Sequence, residues 1–327
     1  MIKAKIALAL ILPLFFMELL DPFLLSAETL KPANRKAFKK LDRKLETLKK
    51  SWLADFIENT VFKTGTYLAL TDNQTRIIEA QATPKKVTSE LKVVTANLLQ
   101  FPPPFFTNQK ERIASFAATI KPMNPDIIVL QEVWDNGVLL EICRHFADYN
   151  VCYKPSILYN KSGLLTLSRF RIVQSEFRKF PLSIRHNFEE FLAGKGVLKT
   201  VSEINNEKIA VFNTHLYSSP AKRKYRPNIQ QFLMLQKIAE EEKHDLKLIA
   251  GDMNLLPEEI AKLAAPDLLQ GDCLLPTAGG AKRVKKLDYI FILGADKTQI
   301  QLTTKRIDSK YNFSDHSPVF GKIRLSD

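Results

Sequence analysis

Cysteine, histidine and long apolar runs are all scarce in this 327-residue chain, and each scarcity closes off a class of protein. Three cysteines are too few for a disulfide scaffold. Cys143 and Cys152 are read either as a bridge formed in an oxidising compartment or as two buried thiols in adjacent elements, with Cys273 unpaired. The apolar run at the start, Ile6 to Met17, is twelve residues long; a bilayer needs about 20. There is no internal repeat and no long low-complexity tract. Only five histidines are present, and one of them, His316, stands directly after an acid, Asp315, in YNFSDHSPV.

The rest of the composition, 45% hydrophobic and 25% charged, suits one large globular domain or two small ones. A formal net charge of +13 points to an acidic partner, either nucleic acid or an anionic membrane surface. The charge is uneven: residues 31–50 carry nine Lys and Arg against Asp42 and Glu46. Before them, Lys3 and Lys5, the apolar run and Leu25-Ser26-Ala27 predict a secretory signal over residues 1–27, cleaved after Ala27 or kept as an anchor, and so a secreted or periplasmic protein or a membrane-associated one. From Phe38, the residues Leu41, Leu45, Leu48, Trp52 and Phe56 recur at spacings of three and four, one stripe of a basic amphipathic helix. That helix either docks on the main domain or adheres to anionic lipid. TYLAL and TRIIEA flanking TDNQ predict a hairpin, so residues 28–84 form an extension ahead of a domain at 85–327.

In that domain the spacing predicts strands at Leu91 to Leu98, Asp126 to Gln131, Gly163 to Ser168, Gly196 to Glu203, Lys208 to Asn213, Leu246 to Gly251, Leu287 to Ile292 and Pro318 to Ile323. Helices are expected at Lys110 to Ile120, Val138 to Phe146 and Ile229 to Lys243. Several strands are continuous apolar runs of the kind buried on both faces, which favours packed sheets covered by helices, an α+β architecture.

Polar side chains at the ends of buried strands are costly without partners, so the residues found there are candidates for chemistry. VVTANLL ends a strand at Asn97, IIVLQEVW at Glu132, IAVFNTHL at Asn213 and His215, and LIAGDMN at Asp252 and Asn254. LDYIFI begins one at Asp288, and SDHSPV precedes the last with Asp315 and His316. Each alone is an ordinary turn cap; six together are not. Carboxylate and amide oxygens suit a hard cation such as magnesium. A histidine oriented by a neighbouring acid can take a proton from water near neutral pH. The chemistry implied is metal-assisted hydrolysis of a phosphoester.

TANLL, QEVW, NTHL, GDMN, LDYIF and SDHSPV, in this order from about Leu91 to Ile323, resemble the motif series of the endonuclease/exonuclease/phosphatase superfamily. The resemblance implies a four-layer α/β/β/α sandwich around two central mixed sheets. It also implies a cofactor, Mg2+ with Mn2+ as the alternate, held by Glu132 and Asn97, with Asp315 supporting the metal or phosphate side. By the same likeness His316 is the general base, Asp288 orients it, His215 contacts the scissile phosphate, and Asp252 with Asn254 positions water and phosphate. Asn213 is placed among the substrate-binding residues.

Within the superfamily the chain is most similar to secreted bacterial sphingomyelinases, on SGLLTLSRFRIV, AGKGVLKT, and THL followed by Arg226 and Gln230. This implies a monomeric phospholipase C acting at a phospholipid or membrane surface, with Lys195 near the phosphate or head group or, alternatively, a plain loop lysine. One departure stands out: LLQGDCLLPTAGGAKRVKK has no aromatic residue where those enzymes carry an aromatic hairpin. FPPPFF at 101–106 is the best substitute as a lipid contact, unless its rings pack under the loop. A secreted nuclease is the rival reading, favoured by the positive charge, and a catalytically dead membrane-binding module is the third. The intact acids and histidines argue against the third.

Overall fold

Thirteen strands and four α-helices occur among the residues that the computed structural model describes: 75–80, 90–100, 108–155, 160, 162–181, 193–204, 207–218, 226–279, 284–294, 300–308 and 313–325. The strands are β1 (Arg76–Ile78), β2 (Glu90–Gln100), β3 (Ile127–Val133), β4 (Asn150–Tyr153), β5 (Leu165–Ser168), β6 (Ile172–Lys179) and β7 (Gly196–Ile204). They continue as β8 (Glu207–His215), β9 (Leu246–Asp252), β10 (Leu269–Gln270), β11 (Asp288–Leu293), β12 (Ile300–Arg306) and β13 (Val319–Leu325). The helices are α1 (Gln109–Ile120), α2 (Asn136–His145), α3 (Pro227–Glu240) and α4 (Pro257–Leu263). The signal segment, the basic helix and FPPPFF lie outside the described residues. No helix among those described is long and apolar enough to cross a membrane.

Strand alternation sorts the apolar residues into three layers. One sheet runs β1-β4-β5-β3-β2-β13-β12 and the other β10-β11-β9-β8-β7-β6, each mixed, with β2 parallel to β3 and β8 parallel to β9. Leu91 and Val93 of β2, Ile127 and Val129 of β3, Ile209 and Val211 of β8, Leu248 and Ala250 of β9, and Ile290 and Ile292 of β11 fill the space between the sheets. The residues of opposite parity turn outward. Val94, Ala96, Ile128 and Leu130 meet Ile113, Phe116, Ala117, Val138 and Ile142 of α1 and α2. Ala210, Phe212, Ile249 and Phe291 meet Phe232, Leu235, Ile238 and Ile260 of α3 and α4. Both faces of each central strand are therefore buried, in a helix-sheet-sheet-helix sandwich. At about 1.5–3 kcal/mol for each large apolar side chain removed from water, these layers supply the driving force for the fold.

Local signals fix the helix ends. Asp135 caps α2, its carboxylate accepting the Val138 N–H at 2.9 Å, while Arg144 and His145 occupy the last turn, where cations are favoured. Pro227 and Pro257 open α3 and α4 at positions whose N–H would have no partner in the helix. The elements not anticipated from sequence are β4, β6, β10, β12 and α4. TRIIEA, read as one arm of a hairpin, contributes β1, which pairs with β4 at the edge of the seven-stranded sheet. All three cysteines are free thiols, so Cys143 and Cys152 are not bridged. Burial raises the Cys152 thiol to about 12.

Candidate active site

The same parity that fills the space between the sheets carries polar residues to its open end. Asn97 follows Leu91, Val93 and Thr95; His215 follows Ile209, Val211 and Asn213; Asp252 follows Leu248 and Ala250. Asp288 precedes Ile290 and Ile292. Because β2 and β3 are parallel, as are β8 and β9, their carboxyl ends lie together, and the antiparallel β11 and β13 begin at that end. Register then sets neighbours: Asp252 pairs with both His215 and Asp288. The close approach of β8 to β9 depends on Gly251, with φ +150° opposite Thr214; a Cβ there would lie 1.9 Å from the Thr214 carbonyl oxygen.

Glu132 reaches the site differently. Parity from Ile127, Val129 and Gln131 would send it to the helix side, but its φ of +57° breaks the alternation. Leu99 (φ +49°) and Asn254 (φ +46°) are also left-handed beside the site. Non-glycine residues in that region cost of order 1–3 kcal/mol each and persist where the surroundings hold them.

Asn97 Nδ2 donates to Glu132 Oε1 at 2.8 Å and to Asp252 Oδ2 at 3.1 Å, while its Oδ1 accepts the Leu99 N–H at 3.1 Å. Asn97, expected as a metal ligand, holds two carboxylates together through its amide donors, while its oxygen accepts one N–H at the bend of Leu99. His215 Nε2 lies 3.6 Å from Asp252 Oδ2 and 3.9 Å from Glu132 Oε1. Lys195 Nζ lies 3.1 Å from that same Nε2 and donates to the Leu216 carbonyl at 2.9 Å. Asn254 donates its N–H to Asp252 Oδ1 at 2.9 Å and its side-chain amide to the Leu216 carbonyl at 3.0 Å. His316 Nδ1 and Asp288 Oδ2 are 2.9 Å apart, and His316 Nε2 is 3.9 Å from Asp252 Oδ2.

Exposure separates the residues at the surface of the group from those beneath it. Glu132, Asn254, Asp315 and His316 are half-buried, whereas Asn97, Lys195, His215, Asp252 and Asp288 are buried. Asn213 does not belong to this group: it is fully buried, donates to the Leu130 and Leu165 carbonyls at 3.1 and 2.7 Å, and accepts from Gln131 at 2.9 Å. The expected substrate contact is instead a polar tie between the sheets. Gln131 is its partner and was not anticipated, although its parity with Ile127 and Val129 marks it.

Crowded acids shape the electrostatics. Burial pushes Glu132 upward, opposed by the Asn97 amide and the charges of Lys195 and His316. Burial and the neighbouring Asp288 raise Asp252. Burial holds His215 well below its usual range, with the charges of Lys195 and His316 acting in the same direction. For His316 burial works downward, but Asp288, Asp252 and Asp315 outweigh it and push the imidazole up to about 10.

The donor set fits a hard divalent cation. Glu132 Oε2 is buried with no hydrogen-bond partner, and Asp252 and Asp315 add carboxylate oxygens nearby. Asp252, Asp288 and His316 also present ligand atoms within 4.8 Å of one another. His316 Nδ1 is already engaged by Asp288, so that trio is better understood as an imidazole held by one acid beside a second. Glu132 Oε2 and Asp288 Oδ1 are the two carboxylate oxygens of the group that are buried with no hydrogen-bond partner.

The Endonuclease/Exonuclease/phosphatase family matches residues 94–316. Over 183 residues the chain is 28% identical to an inositol phosphosphingolipids phospholipase C of Schizosaccharomyces pombe, a match covering 51% of this chain and 42% of that protein, so the chain spans less than half of its relative's length. Sphingomyelinase C from Streptomyces griseocarneus shares the fold at 20% identity and a TM-score of 0.56, over 72% of this chain and 99% of that one. D. rerio TDP2 complexed with a single-strand DNA product shares it at 18% identity and 0.57, over 73% and 100%.

Proposed function

The chain belongs to the endonuclease/exonuclease/phosphatase family, and from that premise we propose that it is a metal-dependent phosphodiesterase of the sphingomyelinase-like phospholipase C kind. The observation carrying the lipid assignment is a set of exposed aliphatic residues on the segment whose Ala278 bridges to His316. Leu274, Leu275 and Val284 are 64%, 55% and 65% exposed, three of the seven exposed large hydrophobics among the described residues. All three lie between β10 and β11, where Ala278 bridges both Lys285 and His316. Water-facing aliphatic side chains on a segment tied to His316 suit a bilayer surface, and the exposed Lys285 suits a lipid phosphate. The match to a phosphosphingolipid phospholipase C supports the same reading.

In this mechanism Glu132, with Asp315 beside it, would hold the cation, which supplies positive charge against the phosphate and the developing leaving oxygen. In its neutral form, whose fraction grows as the pH rises toward about 10, His316 takes a proton from the attacking water at Nε2. Its Nδ1–H is fixed on Asp288, so the ring holds one tautomer and its charged form is stabilised. Asn254 and Asp252 orient water and phosphate from the floor. His215 accepts from Lys195 and keeps that ammonium pointed at the anionic centre. With residues 1–27 read as a signal, the enzyme would act outside the cytoplasm, as a monomer at a membrane.

The net charge of +13 favours one second reading, a nuclease. Parallel assays on sphingomyelin vesicles, phosphatidylcholine vesicles and plasmid DNA, with and without magnesium, separate the two. Magnesium-dependent phosphocholine release from sphingomyelin is expected; DNA cleavage with both lipids intact would overturn the lipid assignment.

A further inference from the structure

Arg112 lies on α1, away from every motif, yet it is only 7% exposed. Its Nε and Nη2 donate to the Phe313 carbonyl at 2.8 and 2.6 Å, and Nη2 also reaches the Leu98 carbonyl at 3.1 Å. Phe313 shortly precedes Asp315 and His316, and Leu98 follows Asn97 on β2. The guanidinium thus bridges two segments more than 200 residues apart in the chain. Ser314 adds a second tie, donating to the Asn97 carbonyl at 2.7 Å and accepting the His316 N–H at 3.1 Å. Phe313 also packs edge-on against Phe116 of α1, with ring centroids 5.5 Å apart.

We infer that Arg112, together with Ser314, is a positioning residue that sets the His316 loop against the Asn97 end of β2. The inference rests on the phosphodiesterase reading for its catalytic consequence. A guanidinium is suited to this place because its planar fork carries donors in fixed directions toward two carbonyls, whereas an ammonium is a point charge on a flexible stem. Burial lowers the Arg112 guanidinium from its ordinary value, and the charge of Asp315 opposes that. Loosening the tie would let His316 shift relative to the water it must deprotonate, and a misplacement of about 1 Å costs on the order of 10²-fold in turnover.

The test compares Arg112→Lys, Arg112→Met and Ser314→Ala with Ile142→Ala, a variant of the same apolar layer on α2. Two quantities are read: kcat against KM on a phosphodiester, and the low-field NMR signal of the proton shared by His316 Nδ1 and Asp288 in metal-free protein. The clamp variants are expected to lose on the order of 10²-fold in kcat with KM unchanged, and their His316 proton signal to shift or vanish. Ile142→Ala is expected to melt lower while keeping kcat and the signal. Arg112→Lys or Ser314→Ala with wild-type kcat and an unaltered signal would overturn the inference, as would equal losses in Ile142→Ala. If the wild type cleaves no phosphodiester, the functional reading fails separately, and the NMR signal still decides whether the clamp positions His316. Should Arg112→Met not fold, the lysine and serine variants decide.

Discussion

Replacing Asp288 by Asn removes the charge that holds His316 while leaving the side chain's shape almost unchanged. Lifting a histidine from 6.5 to about 10 corresponds to about 5 kcal/mol at about 1.4 kcal/mol per pH unit. Asp252 and Asp315 contribute to the same effect. The share belonging to Asp288 is that of a hydrogen bond to a charged group, about 1.5–3 kcal/mol. His316 stands above its unfolded value, so this stability is fully present below about pH 6.5 and is lost as the pH rises through about 10. Urea unfolding of wild type and Asp288→Asn in EDTA should therefore show a gap of about 2 kcal/mol near neutral pH, closing in strongly alkaline buffer. Lysines and tyrosines elsewhere titrate in both proteins and cancel in the difference. In the catalytic assay, an amide that lets the imidazole adopt the wrong tautomer costs about 10⁴-fold in a comparable acid–histidine pair. A stability gap that persists unchanged at high pH, or turnover within tenfold of wild type, would refute the reasoning.

Two further substitutions separate the metal side from the scaffold. Glu132→Gln should melt no lower than wild type in EDTA, because burial disfavours the Glu132 carboxylate, but should lose the rise in melting temperature that magnesium gives the wild type by mass action; an equal rise in both proteins would remove Glu132 from the metal site. Asn213→Ala strips partners from two carbonyls and the Gln131 amide between the sheets, so it should cost about 3 kcal/mol or more in unfolding experiments while folded molecules keep their turnover; a stable but inactive variant would return Asn213 to substrate binding.

The central strands were legible because they are buried on both faces and read as continuous apolar runs, as in VVTANLL and IIVLQEV. Those that escaped had weaker patterns. In β12, QLTTKR leaves most of its residues at least partly exposed on an edge; β6 is IVQSEFRK, five of its eight residues charged or polar; β4 has four residues. The helix α4 escaped because PEEIAKL has seven residues and buries only Ile260, too little for a periodicity to register. Edge strands and two-turn helices take their structure from neighbours, and that information is not local.

The site divides along the same line. Asn97, His215, Asp252 and Asp288 each share parity with the apolar residues that fill the inter-sheet layer, so a period of two places them at one end once the strands are known. The same rule also selects Asn213, and there it misleads, because a residue two positions short of the strand end is still inside the layer. Glu132 shows the opposite failure. Parity excludes it, and only the left-handed backbone at φ +57° turns it inward. Arg112 carries no local signal, since its partners at Leu98 and Phe313 become neighbours only when β2 and β13 pair. Residues placed by strand period can thus be read from the chain, whereas those placed by strain or by a tie between distant segments emerge only from the fold.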